Sequence, residues 1–148
     1  MIDILRRLLA PEPAPLAEPD ARLALAALLV RIARTDGLYA AEEVERIDRV
    51  LAQYHGLDPF AAASLRTEAE NLEREAPDTV RFTRALKQAV AVEDRSLLMT
   101  ALWSVAVADG LRDAEEDQLM RMVANLLGLT DVDSAQARQR AERGAAEE

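Results

Sequence analysis

Cysteine is absent from this chain, which rules out disulfides, thiolate metal sites and cysteine nucleophiles. Aromatic residues make up only 3%, and there are five glycines, too little of either for a typical sheet protein. Histidine occurs once, at position 55. No Glu-x-x-His pair exists, so a di-iron bundle site has no ligands, and the lone His55 reads as a helix-end or surface residue. There is no Ser-His-Asp set on a nucleophile elbow and no glycine-rich phosphate loop. Long apolar runs are missing too. The longest uncharged helical run, Ser96 to Ala108, has 13 residues, whereas a bilayer-spanning helix needs about 20. Residues 1–10 lack the apolar core of a signal peptide. Basic residues are outnumbered 18 to 27, for a net charge of −9. Such a chain repels a phosphate backbone, so no nucleic-acid partner is expected. These exclusions point to a soluble cytoplasmic protein.

Half of the 148 residues are hydrophobic, mostly Ala, Leu and Val. That suits one compact all-α domain. Residues 2–9 can form two helical turns with Ile4, Leu5, Leu8 and Leu9 on one side. Four prolines between Pro11 and Pro19 then make a semi-rigid linker. The division is therefore a short amphipathic segment plus linker over 1–19, a helical domain over 20–143, and a frayed tail over 144–148. The short segment is suited to docking on protein, its own domain or another copy, more than on a membrane surface, since Arg6 and Arg7 alone attract lipid weakly.

Asp20 is a good cap for a helix over 21–35, with Leu25, Leu28, Leu29, Ile32 and Ala33 on its buried stripe. A second helix over 41–54 directs Val44, Ile47, Leu51 and Tyr54 inward. Asp58-Pro59 starts a third, reaching Arg74 before Pro77. A fourth covers 79–90, with Phe82, Leu86 and Val90 spaced by four. Its Arg81, Arg84 and Lys87 form a solvated basic stripe. Asp94 can cap a fifth helix over 95–108, which has almost no polar face and so should be central, with Trp103 in the core. A sixth spans 114–127 and a seventh 132–143.

The most informative feature is a repeat. Asp36-Gly37-Leu38-Tyr39-Ala40-Ala41-Glu42-Glu43 returns 73 residues later as Asp109-Gly110-Leu111-Arg112-Asp113-Ala114-Glu115-Glu116. Residues 28–51 and 101–124 share nine of 24 positions, and Gly56-Leu57 matches Gly128-Leu129 after a one-residue slip. Gly37 and Gly110 stand where a helix C-cap favours a left-handed residue. Asp113 and Glu116 have the spacing of a capping box, whereas Ala40 leaves the first copy with half of one. Asp36 and Asp109 sit at helix C-termini, where a carboxylate is disfavoured by about 0.3–1 kcal/mol. Two readings offset that cost. The carboxylates can clamp the turn by accepting free N–H groups of the next helix. Alternatively, with Glu43 and Glu116, and with Glu42 and Glu115 behind them, they can hold a divalent cation. The Gly-to-Glu step equals that between positions 6 and 12 of an EF-hand loop, but Ile32 and Arg34, or Val105 and Val107, fill the earlier ligand positions. Neither copy is an EF-hand.

Ala108-Asp109-Gly110-Leu111-Arg112-Asp113-Ala114-Glu115-Glu116, paired with Arg34-Thr35-Asp36-Gly37 and its following helix, resembles the TerB-like family of tellurite-resistance proteins. The related N-terminal module of a membrane-bound DnaJ-type co-chaperone shares the pattern. The resemblance covers roughly residues 21–143. It implies about seven helices in two halves related by a pseudo-two-fold, metal binding through acidic clusters (Asp36 with Glu43, Asp109 with Glu116), and a link to tellurite or envelope stress. The first copy departs from the family pattern at Thr35 and Ala40. The functional expectation is a non-catalytic binding module that engages a protein partner or itself and has a cation as its one candidate cofactor. The alternatives are a purely structural interaction domain without metal and a metal-dependent hydrolase. The hydrolase lacks an accompanying nucleophile, histidine ligand or phosphate cradle.

Overall fold

The computed structural model describes residues 20–35, 39–76, 78–108 and 114–146. The expected segment and linker over 1–19, and Pro77, lie outside them. The described residues form seven α-helices and no strand: α1 (Ala21–Arg34), α2 (Ala41–His55), α3 (Pro59–Glu75), α4 (Val80–Ala89), α5 (Arg95–Ala106), α6 (Ala114–Leu126) and α7 (Asp131–Ala146). A short 3-10 turn, Val92–Asp94, leads into α5. The all-α expectation holds, and most helix limits fall within a residue or two of the periodicity. Helix α7 runs on through Gly144 to Ala146, beyond its expected end at 143.

Helix α1 is the centre. Ala24 to Val30, Ile32 and Ala33 are all fully buried. It packs most closely on α3 and α4 and also touches α2, α5 and α6. Four alanines among those buried residues let the neighbouring backbones come close. The expectation that α5 would be central is corrected: Leu97 on α5 is 64% exposed. Helix α5 packs mainly on α7, with α1, α2 and α6 on other sides, and Leu97 stays uncovered.

The second half repeats the first. Helix α1 lies on α3 as α5 lies on α7. The buried stripe of α2 is Glu43, Ile47, Val50 and Leu51, and that of α6 is Glu116, Met120, Val123 and Ala124, the same four positions 73 residues on. Including the glutamate turns the α2 stripe away from the expected face, so Val44 is half-buried and Tyr54 is 40% exposed rather than inward. Both α2 and α6 are followed by a glycine in the left-handed region, Gly56 at φ 64° and Gly128 at φ 79°. In each case the next leucine turns back. The Leu57 N–H donates to the Ala52 carbonyl at 3.0 Å, and the Leu129 N–H to that of Ala124 at 2.8 Å. This is the Schellman closure of a helix end.

Side-chain caps explain three of the starts. The Asp20 carboxylate accepts from the Leu23 N–H at 2.8 Å, and that of Asp58 from the Ala61 N–H at 2.7 Å. Thr130 and Asp133 form a reciprocal box with both bonds at 3.0 Å. Asp94 does not cap α5. The 3-10 turn runs straight into the helix, so Asp94 already has helical backbone and its side chain makes no capping bond.

Gly56→Ala and Gly128→Ala should each lower unfolding free energy by about 1–2 kcal/mol, the cost of a left-handed alanine. A Cβ at Gly56 meets nothing within 4 Å, and one at Gly128 only Arg95 Nη1 at 3.5 Å, so backbone conformation sets both costs. Gly144→Ala, inside α7 with open space around it, should be neutral or stabilising. Urea denaturation followed by circular dichroism checks all three.

Candidate functional site at the Asp-Gly corners

Helices α2 and α6 each begin a few residues after an Asp-Gly pair in the sequence, and each carries a glutamate at its third position. Both glutamates are buried: Glu43 is fully enclosed and Glu116 is 3% exposed. A carboxylate is rarely found inside unless it is paired. One Glu43 oxygen accepts the Ala40 N–H at 3.1 Å. Alanine has no acceptor to return the bond, so only the glutamate's half of a capping box exists there. The Glu43 N–H turns instead to the Ala40 carbonyl at 3.1 Å. Glu42 and Glu115, one position earlier, are exposed. Asp36, Gly37, Asp109, Gly110 and Asp113 lie outside the described residues. Among the described residues, no three His, Asp or Glu side chains converge as a metal cluster.

The first corner is flanked by a charged network. Arg66 on α3 donates to Asp48 on α2 at 2.6 Å and to Glu70 at 3.1 Å. The Tyr39 hydroxyl donates to Glu70 at 2.7 Å. Burial, and then the Glu70 carboxylate, push the Tyr39 phenol well above its ordinary value, so it stays protonated and a donor. The Arg34 guanidinium lies 5.1 Å from the Tyr39 ring centroid and 3.7 Å from Glu73. Arg31 reaches Glu73 at 3.3 Å and donates to the Ala76 carbonyl at 2.7 Å, closing the end of α3.

Sequence reasoning passed over this network, although one signal pointed to it. Arg66 and Glu70 recur 72 residues on as Arg138 and Glu142, which pair at 3.5 Å. In the second half, Arg138 lies 5.7 Å from the Trp103 ring, and the Trp103 indole N–H donates to Ser134 at 3.1 Å. Trp103 is 6% exposed and is a core residue, as expected. On α4, Arg84 and Lys87 are exposed and Arg81 is half-buried.

The side-chain ligands that the two Asp-Gly stretches carry in the sequence are carboxylates, which would suit a hard divalent cation, and a softer metal would find no thiolate. The lone histidine lies elsewhere, at the end of α2. Burial, then the positive charge of Arg22, lower the pKa of His55 against a weaker opposing pull from Asp20. Folded His55 thus resists protonation more than unfolded His55, and the unfolded state takes up the proton first. Stability should be flat above the ordinary histidine value of about 6.5 and fall as pH drops from there through the lowered folded value. His55→Gln should remove that slope in urea titrations between pH 5 and 8.

A family model described as tellurite resistance protein TerB matches residues 22–139. No curated protein and no solved structure matches the chain. The family match spans well over half of the sequence and coincides with the α1–α7 domain, both corners included. The chain belongs to the TerB family.

Proposed function

We propose that this protein is a non-catalytic helical binding module whose two Asp-Gly corners take a divalent, oxygen-preferring cation and whose helical surface engages a protein partner. The family relationship supports tellurite or envelope stress as its setting. The observation that carries the reading is the paired burial of Glu43 and Glu116 at equivalent positions. Each glutamate heads the helix that follows an Asp-Gly pair, and together they offer carboxylate oxygens of the kind a hard divalent cation takes. Asp36 with Glu43 and Asp109 with Glu116 would hold it, and its role would be to tie each corner to the helix that follows.

One bond favours a second reading. Glu43 already accepts the Ala40 N–H, which satisfies one helix-start donor without a cation, as a purely structural turn would. The two readings separate in one experiment. Thermal melts and isothermal titration with calcium, magnesium and zinc should show heat and a raised Tm for at least one ion. At about 100 times its Kd, one bound ion adds about 2.7 kcal/mol. Asp36→Asn with Asp109→Asn should abolish both signals. Signals that survive the double substitution would mean the ligands are misassigned. No heat and no shift with any ion would leave the structural clamp, for which Gly110→Val must cost more stability than Asp109→Asn.

A further inference from the structure

The two halves differ in how a helix covers them. Helix α4 packs against α1 and α6. Its Phe82 is fully buried, Arg31 of α1 lies 5.2 Å over the Phe82 ring, and Arg31 donates to Thr79 at 3.5 Å. Helix α4 thus lies on the side of α1 that carries Arg31, and helical spacing places Ala24, Ala27 and Leu28 on that same side. Shifted by 73 residues, that face becomes Leu97, Thr100, Ala101 and Ser104 of α5, and the other wall, α6, becomes α2. These are the walls of an open, mostly apolar groove of about 380 Å³, with Val50 and Tyr54 on the α2 side. The groove is the vacant equivalent of the site that α4 fills.

We propose that residues 2–9 of this chain dock in that groove, filling for the second half the place that α4 fills for the first. The apolar pattern fits: Ile4, Leu5, Leu8 and Leu9 share one helical side, as Phe82 and Leu86 do on α4. The entry point fits as well. The described chain starts at Asp20, whose charge, with that of Arg22, acts on His55, the residue next to Tyr54. Residues 10–19 at about 3.1 Å each in polyproline form reach about 30 Å, ample for a fold-back onto a groove beside their own exit. The charges complement each other. Exposed Glu93 and Asp94 stand at the start of α5, Asp94 close enough to act on Tyr54, and the segment brings Arg6 and Arg7. An eight-residue helix is unstable alone, and tethering supplies the high effective concentration it needs. The inference is independent of cation binding.

The chain has no cysteine, so disulfide trapping is clean. Full-length Leu8→Cys with Leu97→Cys should form an intramolecular cross-link at least tenfold faster than Leu8→Cys with Phe60→Cys, whose partner position is 83% exposed at the start of α3. The rate should not change on tenfold dilution. Leu97→Glu should slow the cross-link in a Leu8→Cys, Ala101→Cys background. Equal rates for groove and control pairs would overturn the proposal. So would a dimeric cross-link that slows on dilution, which would assign the groove to a second copy.

Discussion

Everything in this fold is arranged around a helix with no solvent-facing side over its middle turns. From Ala24 to Val30, α1 is closed off completely, which is possible only if neighbours cover it all round. Helices α2, α3, α4, α5 and α6 do so. Its alanines set the close approach, and its leucines fill the space between. The ends of α1 carry its polar work: Asp20 caps the start, while Arg31 and Arg34 bind the far end of α3 through Glu73. A change of size in the middle of α1 disturbs several interfaces at once, whereas a change at either end disturbs one.

The buried glutamates impose a second constraint. A carboxylate at the third position of a helix gains from the N-terminal dipole and from nearby N–H groups, and this makes its enclosure tolerable. In α2 it also replaces an apolar residue at the head of the inward stripe. The phase of the helix is therefore set by a charged residue, and Tyr54 at the other end is turned outward. The outward turn of Tyr54 thus goes with the burial of Glu43 at the other end of the same helix.

Periodicity was sufficient for the helices because each has an apolar stripe bounded by a cap or a breaker, as Asp20, Asp58-Pro59, Gly56 and Gly128 show. It failed where a stripe was identified by apolar residues alone, as in α2, and where an all-apolar surface was equated with the centre, as in α5. Neither failure is local. Glu43 is buried by the helices packed around it, and Leu97 is exposed because none of the described helices lies over it. For the candidate site, the glutamates were legible as a repeated pair, but the Tyr39, Arg66, Glu70 and Asp48 network was not. Its members come from α2, α3 and the turn between helices, and only the i, i+4 step from Arg66 to Glu70 is visible along the chain.

The duplication itself explains why the two halves cannot be finished alike. Two equivalent three-helix units joined in one chain need one connection, and α4 is that connection. Because it runs from α3 to α5, it can lie over only one of the two equivalent grooves, and it takes the one between α1 and α6. The other groove, between α2 and α5, must be covered by something outside the repeat or remain apolar and exposed. Sequence drift bears the mark of this: Arg31, held over Phe82 by α4, has Ser104 as its counterpart on the open wall. The central helix is the one that received the cover, and the difference in burial between α1 and α5 follows from where a single linking helix could go.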